Sequence, residues 1–322
     1  MFLYLVIFIV SCIILYFAGE WIISGLVRIA RVLGLKEFIV AFFIMSFAAS
    51  IPNLFVGIFS ASYGVSELSF GEISGNNLIA MTLAVALAVL FSKGKKEIPA
   101  GSNIVQTSSI FTAIAALLPL FLVLDGSISR ADGTLLILFF FFYIIWIFSK
   151  KERFSKVYKE EGLFSFKKLP AFMKDLGKVF GGIILIIIAT QGIVKSSIFF
   201  ASSFGLSMLT VGIFIVSIGS ALPEIYFSVL SSRKGENSLI LGTLMGAVII
   251  PSTLVIGLVS LINPIVITNF SPFLIAKIFL ILATLFFFFF TRSNMKITAR
   301  EAYFLFLIYV LFLTTELVFA RI

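Results

Sequence analysis

Two short segments of the chain place serines and other small residues directly before a proline, and each lies within a long apolar stretch. Residues 46–53 read Ser-Phe-Ala-Ala-Ser-Ile-Pro-Asn, and residues 217–224 read Ser-Ile-Gly-Ser-Ala-Leu-Pro-Glu. A proline inside a helix removes an amide donor and clashes with the carbonyl one turn earlier, which predicts helix breaks at Pro52 and Pro223. Serine hydroxyls and freed carbonyls make an oxygen-rich shell that suits hard cations such as Na⁺ and Ca²⁺. The hydroxyls belong to Ser46, Ser50, Ser217 and Ser220.

The two segments differ in their last residue, and this difference sets the charge that a cation would meet. Glu224 can carry a negative charge, whereas Asn53 offers only a neutral amide oxygen. An unpaired charge at bilayer depth is costly, so one carboxylate neutralises a proton or a monovalent cation but leaves about one charge of Ca²⁺ uncompensated. The residues therefore favour Na⁺ or H⁺ at Glu224 over a high-affinity Ca²⁺ site.

The two segments belong to a longer repeat with a spacing of 171 residues. Identical residues recurring at that spacing include Gly34 and Gly205, Gly71 and Gly242, Gly75 and Gly246, and Thr82 and Thr253. A duplicated helix interruption within a membrane is the best sequence indication of a transporter's binding site. The alternative is that the small residues only let neighbouring helices pack closely.

The composition places these segments in a membrane, since 61% of the residues are hydrophobic, 12% are charged and the mean hydropathy is +1.19. Ten apolar stretches are long enough to cross a hydrocarbon core of ~30 Å. They lie at roughly residues 2–27, 38–62, 69–92, 101–124, 133–149, 179–203, 207–232, 238–263, 271–291 and 299–319. The sequence therefore predicts an all-α polytopic membrane protein with ten transmembrane helices.

The basic residues predict how these helices are oriented. The segments after the odd-numbered helices hold 20 of the 24 Lys and Arg residues, so we expect those segments in the cytoplasm and both termini outside it. The net charge of +9 is thus a topology signal, and we expect no binding of nucleic acid. A basic cytoplasmic loop, residues 150–178, separates a first repeat of five helices, residues 1–149, from a second, residues 179–322. An odd number of crossings inverts the second repeat.

Several classes of site are excluded by composition. The chain has no histidine and a single cysteine, Cys12, which excludes disulfides and Cys/His metal sites. It shows no nucleophile–base pair and no glycine-rich phosphate loop, so we expect neither an enzyme nor a cofactor.

The first apolar stretch lacks a basic n-region and runs on into Arg28, so it is not a cleaved signal peptide. We expect a prokaryotic plasma membrane, with the lipid bilayer and small inorganic cations as partners; a monomer is compatible with the sequence.

These residues resemble a known family. The run Gly219-Ser-Ala-Leu-Pro-Glu224 resembles the G-T-S-x-P-E signature of the α-repeats in the Ca²⁺:cation antiporter superfamily, which includes the Na⁺/Ca²⁺ exchangers. The segment Gly71 to Asn77 resembles that family's companion motif, G-N-x-x-G-S-N. The resemblance implies alternating-access cation exchange with ion ligands at the centres of both repeats. The matching positions are Ser46, Ala49, Ser50, Asn53, Asn76, Ser217, Ser220, Ala221 and Glu224.

The chain departs from the family pattern where acidic groups are expected. Asn53 replaces one of the two P-E glutamates, and Ala80 and Pro251 stand where the companion motif ends in an acidic or amide residue. The ion site of the family is usually built on two or three acidic groups, and this chain keeps Glu224 as its one clear carboxylate. Glu224 is therefore the residue that we expect to bind a metal ion.

Four further polar residues could contribute to such a site. Glu72 precedes Asn76 by one turn but could also lie at the interface, and Asn77 follows it. Glu20 lies inside the first helix, where pairing with a neighbour is the simpler expectation. Lys195 could pair with Glu224, although its long stem favours snorkelling to the interface.

We expect a secondary cation antiporter with altered specificity. The alternatives are a carrier for a different solute and a membrane scaffold that kept the fold but does not transport.

Overall fold

The described residues of the first half form five helical elements. The computed structural model describes residues 1–32, 44–149, 169–235, 237–267 and 270–319. In the first half the helices are α1 (Phe2–Val32), α2 (Ser46–Ser62), α3 (Ser66–Ile79, continued by Ala80–Ala84 and Val85–Leu90), α4 (Asn103–Leu122) and α5 (Arg130–Ser149). The strands β1 (Glu97–Pro99) and β2 (Ser127–Ile128) flank α4.

The second half follows the same order of elements. Its helices are α6 (Leu169–Phe204), α7 (Met208–Val211, continued by Gly212–Val216 and Ser217–Lys234), α8 (Asn237–Ile250, continued by Pro251–Val255 and Ile256–Ile262), α9 (Phe270–Arg292) and α10 (Ala299–Phe319). The strands β3 (Ile265–Val266) and β4 (Lys296–Thr298) flank α9.

The apolar helices confirm a polytopic membrane protein. Among the described residues, eight helices are long and apolar enough to cross a membrane. The described part of α2 is also apolar, but it has only 17 residues. Ten spans in two inverted repeats therefore stay a prediction.

The prediction of helix breaks at the two prolines was wrong. Pro52 lies inside α2 and Pro223 lies inside α7, and both helices continue through them. Each proline withholds a donor from the carbonyl four residues earlier, a loss that neighbouring helices and serine hydroxyls compensate in membrane proteins.

The irregular backbone lies elsewhere, in short π-helical segments. Ala80–Ala84 of α3 and Pro251–Val255 of α8 are both π-helical, and they are separated by the 171-residue spacing of the sequence repeat. Gly212–Val216 of α7 is π-helical too. Residues 44–45 are also π-helical, and the 171-residue spacing relates them to residues 215 and 216. Such segments are frequent at functional sites because an extra residue in one turn leaves backbone groups unpaired.

The start of α6 revises one predicted boundary. The stretch 150–178 was expected to be a loop, but the helix begins at Leu169; residues 150–168 lie outside the described residues. Pro170 fits the first turn of a helix, where no amide donor is needed. Asp175, in the second turn of α6, accepts a hydrogen bond of 2.7 Å from Arg28 Nε near the end of α1, so the side chains of the two helices are joined.

Two short antiparallel strand pairs join the halves of the chain. In one pair β1 lies against β4, with Ile98 opposite Ile297, and in the other β2 lies against β3, with Ile128 opposite Ile265. Each pair therefore joins a loop of the first half to a loop of the second.

The most buried helices form the centre of the molecule. The apolar windows of α3, α7 and α8 are mainly buried, whereas at most 33% of the residues in those of α1, α5 and α9 are buried. In this centre α3 packs against α7, and α2 packs against both α3 and α8. Outside the centre, α1 lies along α6.

Candidate functional site

The predicted ligands of α7 share one face of the helix. Ser217, Ser220 and Glu224 are separated by three and four residues, which places them on the same side, and all three are buried. Ala221 is buried as well, and it has only a backbone carbonyl to offer a cation.

The equivalent residues of α2 repeat this arrangement. Ser46, Ser50 and Asn53 are separated by four and three residues, so they also share one side of their helix, and they are buried, as is Ala49. The Ser46 hydroxyl lies 3.4 Å from the carbonyl oxygens of Gly242 and Thr243, so the start of α2 is held against α8.

Glycines of the companion motif bring α3 against the backbone of α7. A Cβ atom added to Gly75 would lie 2.6 Å from Ser217 Oγ, and one added to Gly71 would collide with the carbonyl oxygen of Leu209. Gly212 is equally confined, since its Cβ would lie 2.8 Å from the backbone nitrogen of Glu72. This close approach places Glu72 and Asn76 of α3 beside the ligand face of α7.

The structure brings a second carboxyl group to the site. The Glu72 carboxyl lies beside the Ser220 hydroxyl, and the Glu224 carboxyl lies beside the Asn76 amide, with both carboxyls close enough for their charges to interact. Glu72 is 0% exposed and Glu224 is 2% exposed, so Glu72 does not lie at the interface, as one sequence interpretation allowed. Glu224 is thus joined by another acid, contrary to the expectation of one carboxylate.

These side chains are buried without hydrogen bonds. Within the described part of the chain, neither carboxyl oxygen of Glu72 or Glu224 meets hydrogen-bond geometry with a partner, and the amides of Asn53 and Asn76 also lack one. Burying unpaired polar groups is costly, and a cluster of them requires an explanation such as an ion that the side chains would bind. We call Asn53, Glu72, Asn76 and Glu224, with Ser217 and Ser220, the polar cluster.

The hydroxyl groups are oriented in a way that suits a cation. Ser50 donates to the Ser46 carbonyl at 2.8 Å and Ser220 donates to the Ser217 carbonyl at 3.3 Å, while Ser217 donates to the carbonyl of Ile213. A hydroxyl whose hydrogen is already engaged still has oxygen lone pairs, and these can face a positive ion.

Asn77 has a structural partner. Its side-chain nitrogen donates to Ser252 Oγ at 2.7 Å, a bond that joins α3 to α8, while its amide oxygen lacks a hydrogen bond in the described part of the structure.

Glu20 and Lys195 lie outside the polar cluster. Both side chains are exposed, Glu20 on α1 near Tyr16 and Lys195 on α6. Among the described residues no basic side chain forms an ion pair with Glu72 or Glu224, so the proposed pairing of Lys195 with Glu224 is not present.

Thr243 is a polar residue that the sequence analysis did not select. It is buried on α8, and within the described residues its hydroxyl has no hydrogen-bond partner. The signal that could have found it is the repeat itself, because Thr243 follows Glu72 by 171 residues.

Comparison with known proteins assigns the chain to a family. The profile described as Sodium/calcium exchanger protein matches residues 3–149 and 175–318. The inner membrane protein YrbG of Escherichia coli (strain K12) is 25% identical over 264 residues, 80% of this chain and 79% of that protein. The sodium/calcium exchanger MaX1 of Methanosarcina acetivorans is 24% identical over 330 residues, 92% of this chain and 93% of that protein.

A solved structure supports the same fold. The crystal structure of the H⁺/Ca²⁺ exchanger CAX superimposes with a TM-score of 0.79 at 17% identity, covering 97% of this chain and 82% of that one. The family profile, MaX1 and CAX are all described as exchangers, which are transporters and not enzymes. Because the family profile covers most of the sequence, the chain belongs to the sodium/calcium exchanger family.

Proposed function

We propose that the protein is a secondary antiporter for small cations, and that it binds them at the polar cluster, whose residues come from α2, α3 and α7. The observation that carries this proposal is the pair of buried carboxyl groups, Glu72 and Glu224, that have no hydrogen-bonding partner among the described residues. A bound cation would supply the compensating charge that the protein interior lacks.

The arrangement of the halves supports alternating access. We propose ten membrane spans in two inverted repeats, residues 1–149 and 169–322, joined by the segment of residues 150–168. The equivalent order of helices and the recurrence of π-helical segments at 171 residues support such a repeat. Related repeats facing each other near the midplane could expose a central site to one side of the membrane and then to the other.

We further propose that the membrane is a prokaryotic plasma membrane and that both termini lie outside the cytoplasm. Support comes from the distribution of lysine and arginine along the chain and from prokaryotic relatives such as YrbG, described as an inner membrane protein.

Transport by reconstituted protein tests the proposed function. Proteoliposomes containing the full chain should take up Na⁺ or Ca²⁺ when an outward gradient of a counter-cation drives the exchange. Glu224→Gln should remove this uptake. Glu316→Gln is the matched control, because Glu316 is a buried glutamate on α10 outside the polar cluster. Equal uptake by the parent and Glu224→Gln would contradict the proposed site, and no gradient-driven uptake by the parent would favour the scaffold alternative.

A further inference from the structure

A groove of about 710 Å³ runs between α1 and α7. This volume lies within the range of about 300–1,000 Å³ that is usual for small-molecule sites. The described residues that line the groove all belong to these two helices, and they are aliphatic or aromatic apart from Cys12 and Gly219. The groove is therefore large enough and apolar enough to hold a hydrocarbon ligand.

Small residues let α1 and α7 meet at the floor of the groove. A Cβ atom added to Gly219 would lie 2.7 Å from Cys12 Sγ, and one added to Gly19 would lie 3.8 Å from Pro223 Cγ. Longer side chains on either side of this contact are exposed and form the walls of the groove. They include Ile13 and Phe17 of α1 and Ile218 and Leu222 of α7.

The groove opens toward the membrane and away from the polar cluster. Successive residues of a helix are turned by about 100°, so Ile218 and Leu222 lie on the opposite side of α7 from Ser217 and Glu224. Both α1 and α7 are apolar enough to cross a membrane, and the walls of the groove are exposed. The open side of the groove therefore faces the hydrocarbon of the bilayer, where lipid acyl chains are the apolar molecules present.

One end of the groove is polar. Along α1 the lining recurs every four residues, at Phe8, Cys12 and Tyr16. Glu20 is the next position of this series. The rings of Tyr16 and Tyr226 meet edge to face with their centroids 5.6 Å apart, and the Tyr16 hydroxyl lies within interacting distance of Tyr226 and Glu20. The apolar groove thus ends at two hydroxyls and one carboxyl group.

The charge of Glu20 is a second observation that points to a ligand. Its side chain is exposed, and the ion pairs of the described residues are those of Arg28 with Asp175 and of Lys296 with Glu97, so no described cation pairs with it. A carboxylate at membrane depth is costly when it is unpaired. An ammonium group would neutralise it, and such a group has three N–H donors with which to reach the neighbouring hydroxyls as well.

We propose that this groove binds an aminophospholipid, a membrane lipid whose head group carries an ammonium. One acyl chain lies between the walls of α1 and α7, and the ammonium donates hydrogen bonds to the Glu20 carboxylate beside Tyr16 and Tyr226. Trp21, the residue after Glu20, is exposed, and tryptophan is enriched at the membrane interface where head groups lie. The inference does not depend on the proposed cation transport, because the groove and the polar cluster lie on opposite sides of α7.

Fluorescence quenching by brominated lipids tests the site in a bilayer. The chain has two tryptophans, so Trp146→Phe leaves Trp21, one turn after Phe17 of the groove wall, as the reporter. This protein is reconstituted in dioleoylphosphatidylglycerol vesicles that contain a varied fraction of dibrominated phosphatidylethanolamine, and in vesicles whose phosphatidylglycerol carries the bromine instead. Quenching of Trp21 should show that phosphatidylethanolamine binds about tenfold more tightly or better, the factor expected from one hydrogen bond between charged groups.

Further variants of the Trp146→Phe protein separate the head group from the groove. Glu20→Gln should bring the two lipids to within about threefold of each other. Ile218→Phe with Leu222→Phe fills the groove and should abolish the preference. The matched control, Leu135→Phe with Leu138→Phe, changes exposed residues of α5 outside the groove and should keep it. Thermal unfolding shows that each variant is folded.

Three results would overturn the inference. One is a preference for phosphatidylethanolamine that is unchanged in Glu20→Gln. Another is equal quenching by the two brominated lipids in the protein that retains Glu20. The third is weak quenching by both lipids in that protein, which would show that another protein surface, such as a second copy of the chain, covers the groove.

Discussion

The carboxyl groups of Glu72 and Glu224 lie within interacting distance of each other although one comes from α3 and the other from α7, in different halves of the chain. Each half therefore contributes one acid to a common site. In the sequence, the position of the first half that matches Glu224 holds Asn53, and the acid is found on the next helix instead. The acid from the first half thus stands at a different position of the repeat from Glu224.

The close contact of α3 and α7 should depend on the absence of a side chain at Gly75. We expect Gly75→Ala to destabilise the protein by about 1–3 kcal/mol, because the added Cβ would lie 2.6 Å from Ser217 Oγ and overpack the interface. Thermal unfolding in detergent measures the change. Gly181→Ala is the matched control: a Cβ there would have no atom within 4 Å, and alanine favours a helix by about 1 kcal/mol. Equal loss of stability in both variants would contradict the packing argument.

The bond between Asn77 and Ser252 should couple α3 to α8. The two side chains meet at 2.7 Å, so Asn77→Ala and Ser252→Ala should each destabilise the protein, and the double variant should cost less than their sum. We expect a coupling of about 0.6 kcal/mol, the average for hydrogen bonds between membrane helices. A double-mutant cycle of unfolding free energies provides the measurement. Strict additivity would show that the bond contributes nothing.

The pairing of β1 with β4 should depend on pH through Glu97. The Lys296 ammonium donates a hydrogen bond of 2.8 Å to Glu97, and this bond lowers the pKa of the Glu97 carboxyl below its usual range. A carboxyl whose pKa is lower in the folded protein stabilises it above the unfolded pKa, and this contribution is lost as the pH falls through the folded pKa. The parent should therefore be more stable than Glu97→Gln at neutral pH, and the difference should vanish in acid. Thermal unfolding at a series of pH values checks this, and a constant difference at every pH would exclude the ionic contribution.

Lys195 should be dispensable for ion binding. Its side chain is exposed on α6 and makes no ion pair with Glu224 in the described structure. We expect Lys195→Met to bind Ca²⁺ and Na⁺ within about threefold of the parent, a change of less than about 1 kcal/mol. Equilibrium titration with each ion gives the affinities. A large increase in affinity would show that Lys195 competes with the bound cation.

Much of the site was accessible from the sequence because its elements carry periodic signals. The spacing of Ser217, Ser220 and Glu224 predicts a common helix face, and Gly71 and Gly75 predict the close approach that the structure shows. These signals are local, so one stretch of sequence is enough to see them.

The role of Glu72 could not be predicted in the same way. Its burial depends on α7, which lies more than a hundred residues later in the chain and covers it through Gly212. A glutamate near the start of an apolar helix is otherwise equally suited to the membrane interface. The predicted helix breaks at the two prolines were wrong for a related reason. Packing against neighbouring helices keeps α2 and α7 continuous, and the sequence of either helix alone does not show that packing.

The two strand pairs have a mechanical consequence. They fasten the loop before α4 to the loop before α10 at one place, and the loop before α5 to the loop before α9 at another. The helices that follow these loops are therefore joined at their starts in two pairs, α4 with α10 and α5 with α9. The strand pairs include neither end of α1 or of α6, and these two helices are held mainly by each other. A shift of this pair relative to the other described helices would therefore leave both strand pairs intact.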